Sequence, residues 1–247
     1  MNIYEKLDRY KAELDRLRPF EGHLLEEIRS YYRVGLTWTS NAIEGNTLTE
    51  SETKILLEDG LTAGGKPLRD TFEAIGHARA YDFMFSLLHA QRITEDDVLT
   101  MHRLFYSDID RDQAGQYRTT PVIITGSKYP VSAPGQIADD MQELFRWMNT
   151  ERTCLHPVVF AAELHRRFVF IHPFIDGNGR LARLLMNTAL IQRGYLPVVI
   201  APVIRHEYIT LLEKAHRDAE PFQKFIAEQA LESTKDMMRL LQVPFPK

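Results

Sequence analysis

A chain of 247 residues, 44% of them hydrophobic, can bury a core of its own. Its formal charge of −4 argues against a nucleic-acid partner, which selects a basic face, and its one cysteine, Cys154, excludes an internal disulfide and fits a reducing compartment. With no apolar run of about 18 residues and no signal-type apolar stretch at the N-terminus, the expectation is a cytoplasmic protein without a membrane partner.

Helical periodicity dominates the pattern. Ile3, Leu7, Tyr10, Leu14 and Leu17 recur at three- and four-residue steps and predict a helix over 3–18, stopped at Pro19. A second helix is expected from Leu24 to Ser40, with a break at Gly45. Thr49, with Glu52 three residues on, reads as a capping box for Glu50–Glu58. A loop marked by Gly60, Gly64 and Gly65 leads to a long helix over 68–90, and Thr94 caps another over 95–106. The β-branched run between Pro121 and Val131, turning at Gly126-Ser127, predicts a small β-hairpin. Helices near 135–150, 157–170, 178–193, 205–217 and 221–241 complete an all-α chain with that one hairpin.

Residues 172–183, His-Pro-Phe-Ile-Asp-Gly-Asn-Gly-Arg-Leu-Ala-Arg, concentrate the chemistry. Pro173 pushes His172 out of helical geometry at the end of an apolar helix, so His172 stands at the mouth of a loop as a candidate general base. Gly177-Asn178-Gly179 can turn successive N–H groups toward one point, and the helix that starts there adds free amides and a positive dipole end. Arg180 and Arg183, three apart, share one side of that helix. Each opposes the macrodipole at a cost of roughly 0.3–1 kcal/mol unless an anion is near. Asp176 is a hard oxygen donor of the kind Mg²⁺ takes together with phosphate oxygens. A base, a metal carboxylate and an anion cradle side by side point to a nucleoside triphosphate and the transfer of one of its phosphoryl groups.

A second feature is Ser40-Asn-Ala-Ile-Glu44-Gly45. Ser40 and Glu44 share a helix face, and Gly45 stops the helix. A carboxylate in a last helical turn is electrostatically misplaced, and needs either a cation or open solvent.

The 172–183 string resembles the signature of the Fic family, His-x-Phe-x-(Asp/Glu)-Gly-Asn-Gly-Arg-x-x-Arg, at every fixed position. Gly115-Gln-Tyr-Arg118 and the segment after it are similar to the family's flap region, and residues 40–45 match its inhibitory motif, (Ser/Thr)-x-x-x-Glu-(Gly/Asn). The resemblance implies a Fic-type helical domain over 49–247 with a β-hairpin flap, preceded by a helical extension, 1–48, that carries the inhibitory segment. The implied activity is transfer of AMP from ATP to a Ser, Thr or Tyr hydroxyl of a target protein, with Mg²⁺ as cofactor and pyrophosphate released.

Carried over by position, His172 is the general base and Asp176 the Mg²⁺ ligand. Gly177, Asn178 and Gly179 hold the α- and β-phosphates, and Arg180 and Arg183 the β/γ end. Thr125, Gly126, Ser127 and Lys128 are the flap's nucleotide-side candidates, Tyr208 a wall of the adenine pocket, and the 121–131 flap a strand-addition dock for the target. Ser40, Glu44 and Gly45 form the inhibitory segment, with Glu44 pairing with Arg183. In some relatives the same glutamate positions a water that removes AMP. The Doc toxin, which phosphorylates, has Lys where this chain has Gly179, so kinase chemistry is not expected. Transfer of UMP or phosphocholine, a non-catalytic nucleotide-binding module, self-modification (for instance at Tyr4, Tyr10, Tyr31 or Tyr32) and homo-oligomerisation stay open.

Overall fold

The computed structural model describes residues 1–246. Their regular structure is ten α-helices and two short 3₁₀ turns. In chain order the helices are α1 (Ile3–Asp15), α2 (Gly22–Ile43), α3 (Glu50–Asp59), α4 (Leu68–Ser86), α5 (Glu95–Tyr106), α6 (Ile137–Glu151), α7 (Pro157–Ile171), α8 (Asn178–Ile191), α9 (Arg205–Lys214) and α10 (Glu220–Leu240). Local chemistry sets many of the starts. Asn2 with Glu5, Thr49 with Glu52 and Thr94 with Asp97 each form a reciprocal capping box, and Pro157 opens α7 where no N–H is needed.

The centre is the α7–α8 pair, joined by the 172–177 loop. Every residue of α8 from Arg180 to Ile191 is buried. α4 and α2 cover one side of it, while α6 and α10 pack on α7. α1 lies on α10 and buries Leu7, Tyr10 and Leu14, so the first helix joins the same hydrophobic core as the rest of the chain. The packing brings the C-terminal end of α2, the α7–α8 loop and a face of α9 to one cleft. No helix is long and apolar enough to cross a membrane among the described residues.

Most predicted elements appear, with earlier ends where a turn takes over. α1 closes at Asp15 in a run of three-residue turns ahead of Pro19. α4 stops at Ser86 rather than 90, because the Leu87 carbonyl is taken by the Gln192 side chain at 2.9 Å and three-residue turns follow. α9 ends at Lys214 in the same way.

The predicted β-hairpin over 121–131 is not formed: no strand occurs among the described residues. The segment is an irregular loop with one turn, Ser127 N–H to Ile124 O at 3.1 Å. Pro121 and Pro130 remove a donor from each limb, and the Lys128 N–H and Ser127 hydroxyl bond to Glu213 on α9 rather than across the turn. A run of β-branched residues supplies strand propensity, but no ladder of main-chain bonds follows here.

Candidate active site

His172 ends α7 in the left-handed region, with φ 55°, a conformation that costs a non-glycine residue about 1 kcal/mol or more. Its Nδ1 lies 3.3 Å from Val169 O, which fixes Nδ1 as the protonated nitrogen and leaves the Nε2 lone pair for another proton. Burial pushes the imidazole down to about 4; the Arg118 charge acts in the same sense, against the Val169 carbonyl and the Glu44 and Asp176 carboxylates. His172 is therefore neutral at pH 7, as a proton acceptor must be.

The loop behind it is held by buried groups. The Asn178 side chain accepts from Phe174 N–H at 2.9 Å and donates to Phe174 O at 2.8 Å. His102 on α5 stacks on Phe174 at 3.8 Å, accepts from Gly115 N–H at 2.8 Å and has Nε2 3.2 Å from Asp176 O, so that nitrogen carries the proton. Gly177 caps α8 at φ 81°, where an added Cβ would meet the Phe105 ring at 2.7 Å. The first amides of α8 have no partner in their own helix and stand at its positive end.

Arg183, 5% exposed, is the most heavily bonded cation of the site. Its Nε donates to Ser40 Oγ at 2.9 Å, its Nη2 to Ser40 O at 2.9 Å and to Glu44 Oε1 at 2.8 Å, and its Nη1 to the Tyr208 hydroxyl at 3.3 Å. Glu44 is the C-cap of α2, so the misplaced carboxylate found its cation. Burial alone would push the Glu44 carboxyl up, but Arg183, Arg180 and Arg205 together hold it below the ordinary carboxylate range. Its side chain stays 33% exposed and lines the cleft. Gly179 makes room for it: an added Cβ would stand 2.3 Å from Glu44 Oε1.

Arg180 does not share this environment. Its side chain turns to Glu73 at 3.3 Å and Asp176 at 3.6 Å over the Phe105 ring, away from the cleft that Arg183 lines. Residues three apart share a broad helix side, yet here they meet different neighbours. Asp176 in turn accepts from Arg69 Nη2 at 2.6 Å, and Arg69 also holds Glu73 at 3.1 Å. The Asn178 side chain is turned to both main-chain groups of Phe174.

The cleft has a volume of about 550 Å³, enough for a nucleotide-sized molecule. His172, Gly179, Arg183 and Glu44 line one end, and Phe170, Ile209, Leu212 and His216 contribute apolar and ring surface. Thr125, Gly126 and Ser127 line it from the 121–131 loop, whereas Lys128 is not among its lining residues and donates its main-chain N–H to Glu213 Oε1 at 2.7 Å. Ser127 Oγ donates to Glu213 Oε2 at 2.9 Å, and Tyr129 stacks on His216 at 4.0 Å, itself stacked on Phe170 at 3.6 Å. At the base of the loop the buried Arg118 donates to His172 O at 2.8 Å, Thr120 O at 3.0 Å and Ser132 O. Tyr208 reaches the cleft but is 1% exposed, with its hydroxyl committed to Arg183 and, at 2.8 Å, His165 Nε2.

Sequence reasoning missed His102, His165, Arg69, Glu73 and Glu213. Arg69 and Glu73 at i, i+4 were visible as a pair; the partners of the other three lie tens of residues away and leave no local signal.

Residues 92–190 match the sequence profile of the Fic/DOC family. The chain is 40% identical over 201 residues to the protein adenylyltransferase Fic of Drosophila grimshawi, covering 80% of this chain and 41% of that protein. It is 37% identical over 236 residues to that of Drosophila melanogaster, covering 94% and 47%. The chain thus spans under half the length of these curated relatives. Among solved structures, Fic-1 from C. elegans superposes with a TM-score of 0.86 at 31% identity, over 97% of this chain and 72% of that one. A Fic domain containing signaling protein from Bacteroides thetaiotaomicron superposes with a TM-score of 0.85 at 28% identity, over 95% of both. With its signature loop built into the same fold as these relatives, the chain belongs to the Fic/DOC family.

Proposed function

We propose that this chain is a protein adenylyltransferase that moves AMP from ATP to a Ser, Thr or Tyr hydroxyl of a target protein, and that Glu44 inhibits it. The observation that carries the inhibition is the 2.8 Å Arg183–Glu44 pair inside the cleft. Arg183 is the group suited to the outer phosphates of ATP, and Glu44 occupies it with an anion of the chain's own. ATP then enters without that anchor, and its α-phosphate is misaligned for in-line attack, a loss that matters because phosphoryl transfer depends on positioning.

With Glu44 withdrawn, the roles follow from the site. His172 Nε2 takes the proton of the target hydroxyl as its oxygen attacks the α-phosphorus. The new O–P bond forms as the bond to pyrophosphate breaks. The opening amides of α8, from Asn178 and Gly179, face the charge that develops on the phosphates. Asp176 fits Mg²⁺ as a one-carboxylate ligand: it is partly exposed and already draws a cation, Arg69. The metal, when bound, would offset phosphate charge. Phe170, Ile209, Leu212 and His216 suit a base, and the loop over 121–131 is the surface on which a target segment would dock.

A second reading uses the same glutamate. Glu44 lines the cleft, so its carboxylate can hold a water that removes AMP from a modified target. The test is Mg²⁺-dependent transfer of label from α-phosphate-radiolabelled ATP in a cell lysate. It compares the native chain, Glu44→Gly, and Glu44→Gly with His172→Ala. Label with Glu44→Gly alone supports the reading; no label in any lane despite ATP binding favours another nucleotide donor or a binding module.

A further inference from the structure

The hydroxyl of Tyr208 and the ring of His165 have no part in the chemistry above, yet both are buried against the arginine on which it turns. Arg183, on α8, is gripped from two sides. Ser40 on α2 takes Nε and Nη2, and Tyr208 on α9 takes Nη1 at 3.3 Å, with its ring 5.9 Å from the guanidinium. Behind Tyr208, its hydroxyl lies 2.8 Å from His165 Nε2 on α7.

The direction of this chain follows from counting orphans. Arg183 can only donate, so the Tyr208 oxygen accepts from it. If Tyr208 donates its own proton to His165 Nε2, the one buried group left over is the His165 Nδ1–H. If His165 Nε2 donates instead, both the Tyr208 proton and the His165 Nδ1 lone pair are left without partners. The first arrangement is the cheaper. It requires a neutral His165, and burial, with the nearby Arg183 charge, pushes that imidazole down to about 3.

We infer that Tyr208 and His165 are positioning residues, a relay that holds the Arg183 guanidinium toward the outer phosphates after Glu44 has left, rather than a wall of the base pocket. The inference rests on the proposed role of Arg183. Removing Glu44 takes one of Arg183's four bonded contacts and leaves the Ser40 and Tyr208 bonds to orient it.

The test is calorimetric binding of ATP and of AMP, in a Glu44→Gly, His172→Ala background that does not consume ATP. AMP has no outer phosphates and serves as the internal control. Tyr208→Phe keeps the ring packed against Phe222 and Phe225 and removes only the hydroxyl. ATP affinity is expected to fall about tenfold, the effect of losing one bond to a charged group, with AMP affinity unchanged. His165→Leu is expected to reproduce that selective loss, and His165→Gln, whose amide oxygen can accept at the same place, to restore most of it. Equal weakening of ATP and AMP by Tyr208→Phe, or no weakening, overturns the relay. An Arg183→Ala control separates the two levels: if that change also fails to weaken ATP selectively, the phosphate role of Arg183 falls and the relay with it.

Discussion

The α7–α8 loop and the loop over 121–131 both lack regular structure and both border the cleft, yet they are secured by different means. The first is fixed through buried groups: the Asn178 amide on both main-chain groups of Phe174, and the His102 ring stacked below with its Nε2 on Asp176 O. The second is tied at its base by Arg118, while its tip rests on Glu213 and the Tyr129–His216 stack, and Ile123 is 95% exposed. Breaking a buried polar contact leaves an unpaired group in the interior, whereas a partly exposed one is replaced by water. The loop that carries His172 is thereby over-determined, and the segment over 121–131 is left cheap to displace.

Four changes bear on this contrast. The largest is expected at the rigid loop: His172→Ala in the Glu44→Gly background should cost roughly 10²–10⁴-fold in AMP transfer with little change in melting temperature, since its side chain supports only one weak bond. Next comes acid sensitivity. His77 and His165 at about 3, and His102 at about 4, are held by burial below the unfolded value of about 6.5. Between these values the unfolded chain binds more protons, so stability is full above about pH 6.5 and falls as the pH drops toward 4. Each of the three contributes in that sense, read as a falling urea midpoint. Asn178→Ala should destabilise the fold by about 2–3 kcal/mol, because Phe174 N–H and C=O lose their partner in the interior; a thermal melt measures it. The smallest effect is at the loose segment. Glu213→Ala should cost under about 1 kcal/mol in global stability yet speed tryptic cleavage after Lys128. A large stability loss with Glu213→Ala, or a negligible one with Asn178→Ala, would erase the contrast.

Much of the fold was legible because its signals are local. Thr49–Glu52 and Thr94 caps, the proline after His172 and Gly177 before α8 each act within one turn of chain, and each stands where it was expected. The Arg183–Glu44 pair was reached through family resemblance; locally, the sequence offered only a carboxylate at the wrong helix end. The 121–131 segment was misread for the opposite reason. Its β-branched residues satisfy a strand pattern, but strands need a partner ladder, and the donors that would build it are absent or taken by Glu213. Spacing put Arg180 and Arg183 on one helix side but could not give their neighbours; for Arg180, Glu73 on α4 decides that. The His165–Tyr208 contact, across 43 residues, has no trace in local pattern at all.

The central claim is that Glu44 withholds Arg183 from the nucleotide. Its most direct measurement is the initial rate of ATP-dependent pyrophosphate release, with target protein and Mg²⁺ present, for the native chain and for Glu44→Gly. Returning a preorganised cation to the phosphates is predicted to raise the rate by about 10²-fold. Equal rates in the two proteins, with ATP bound equally well, would contradict the account.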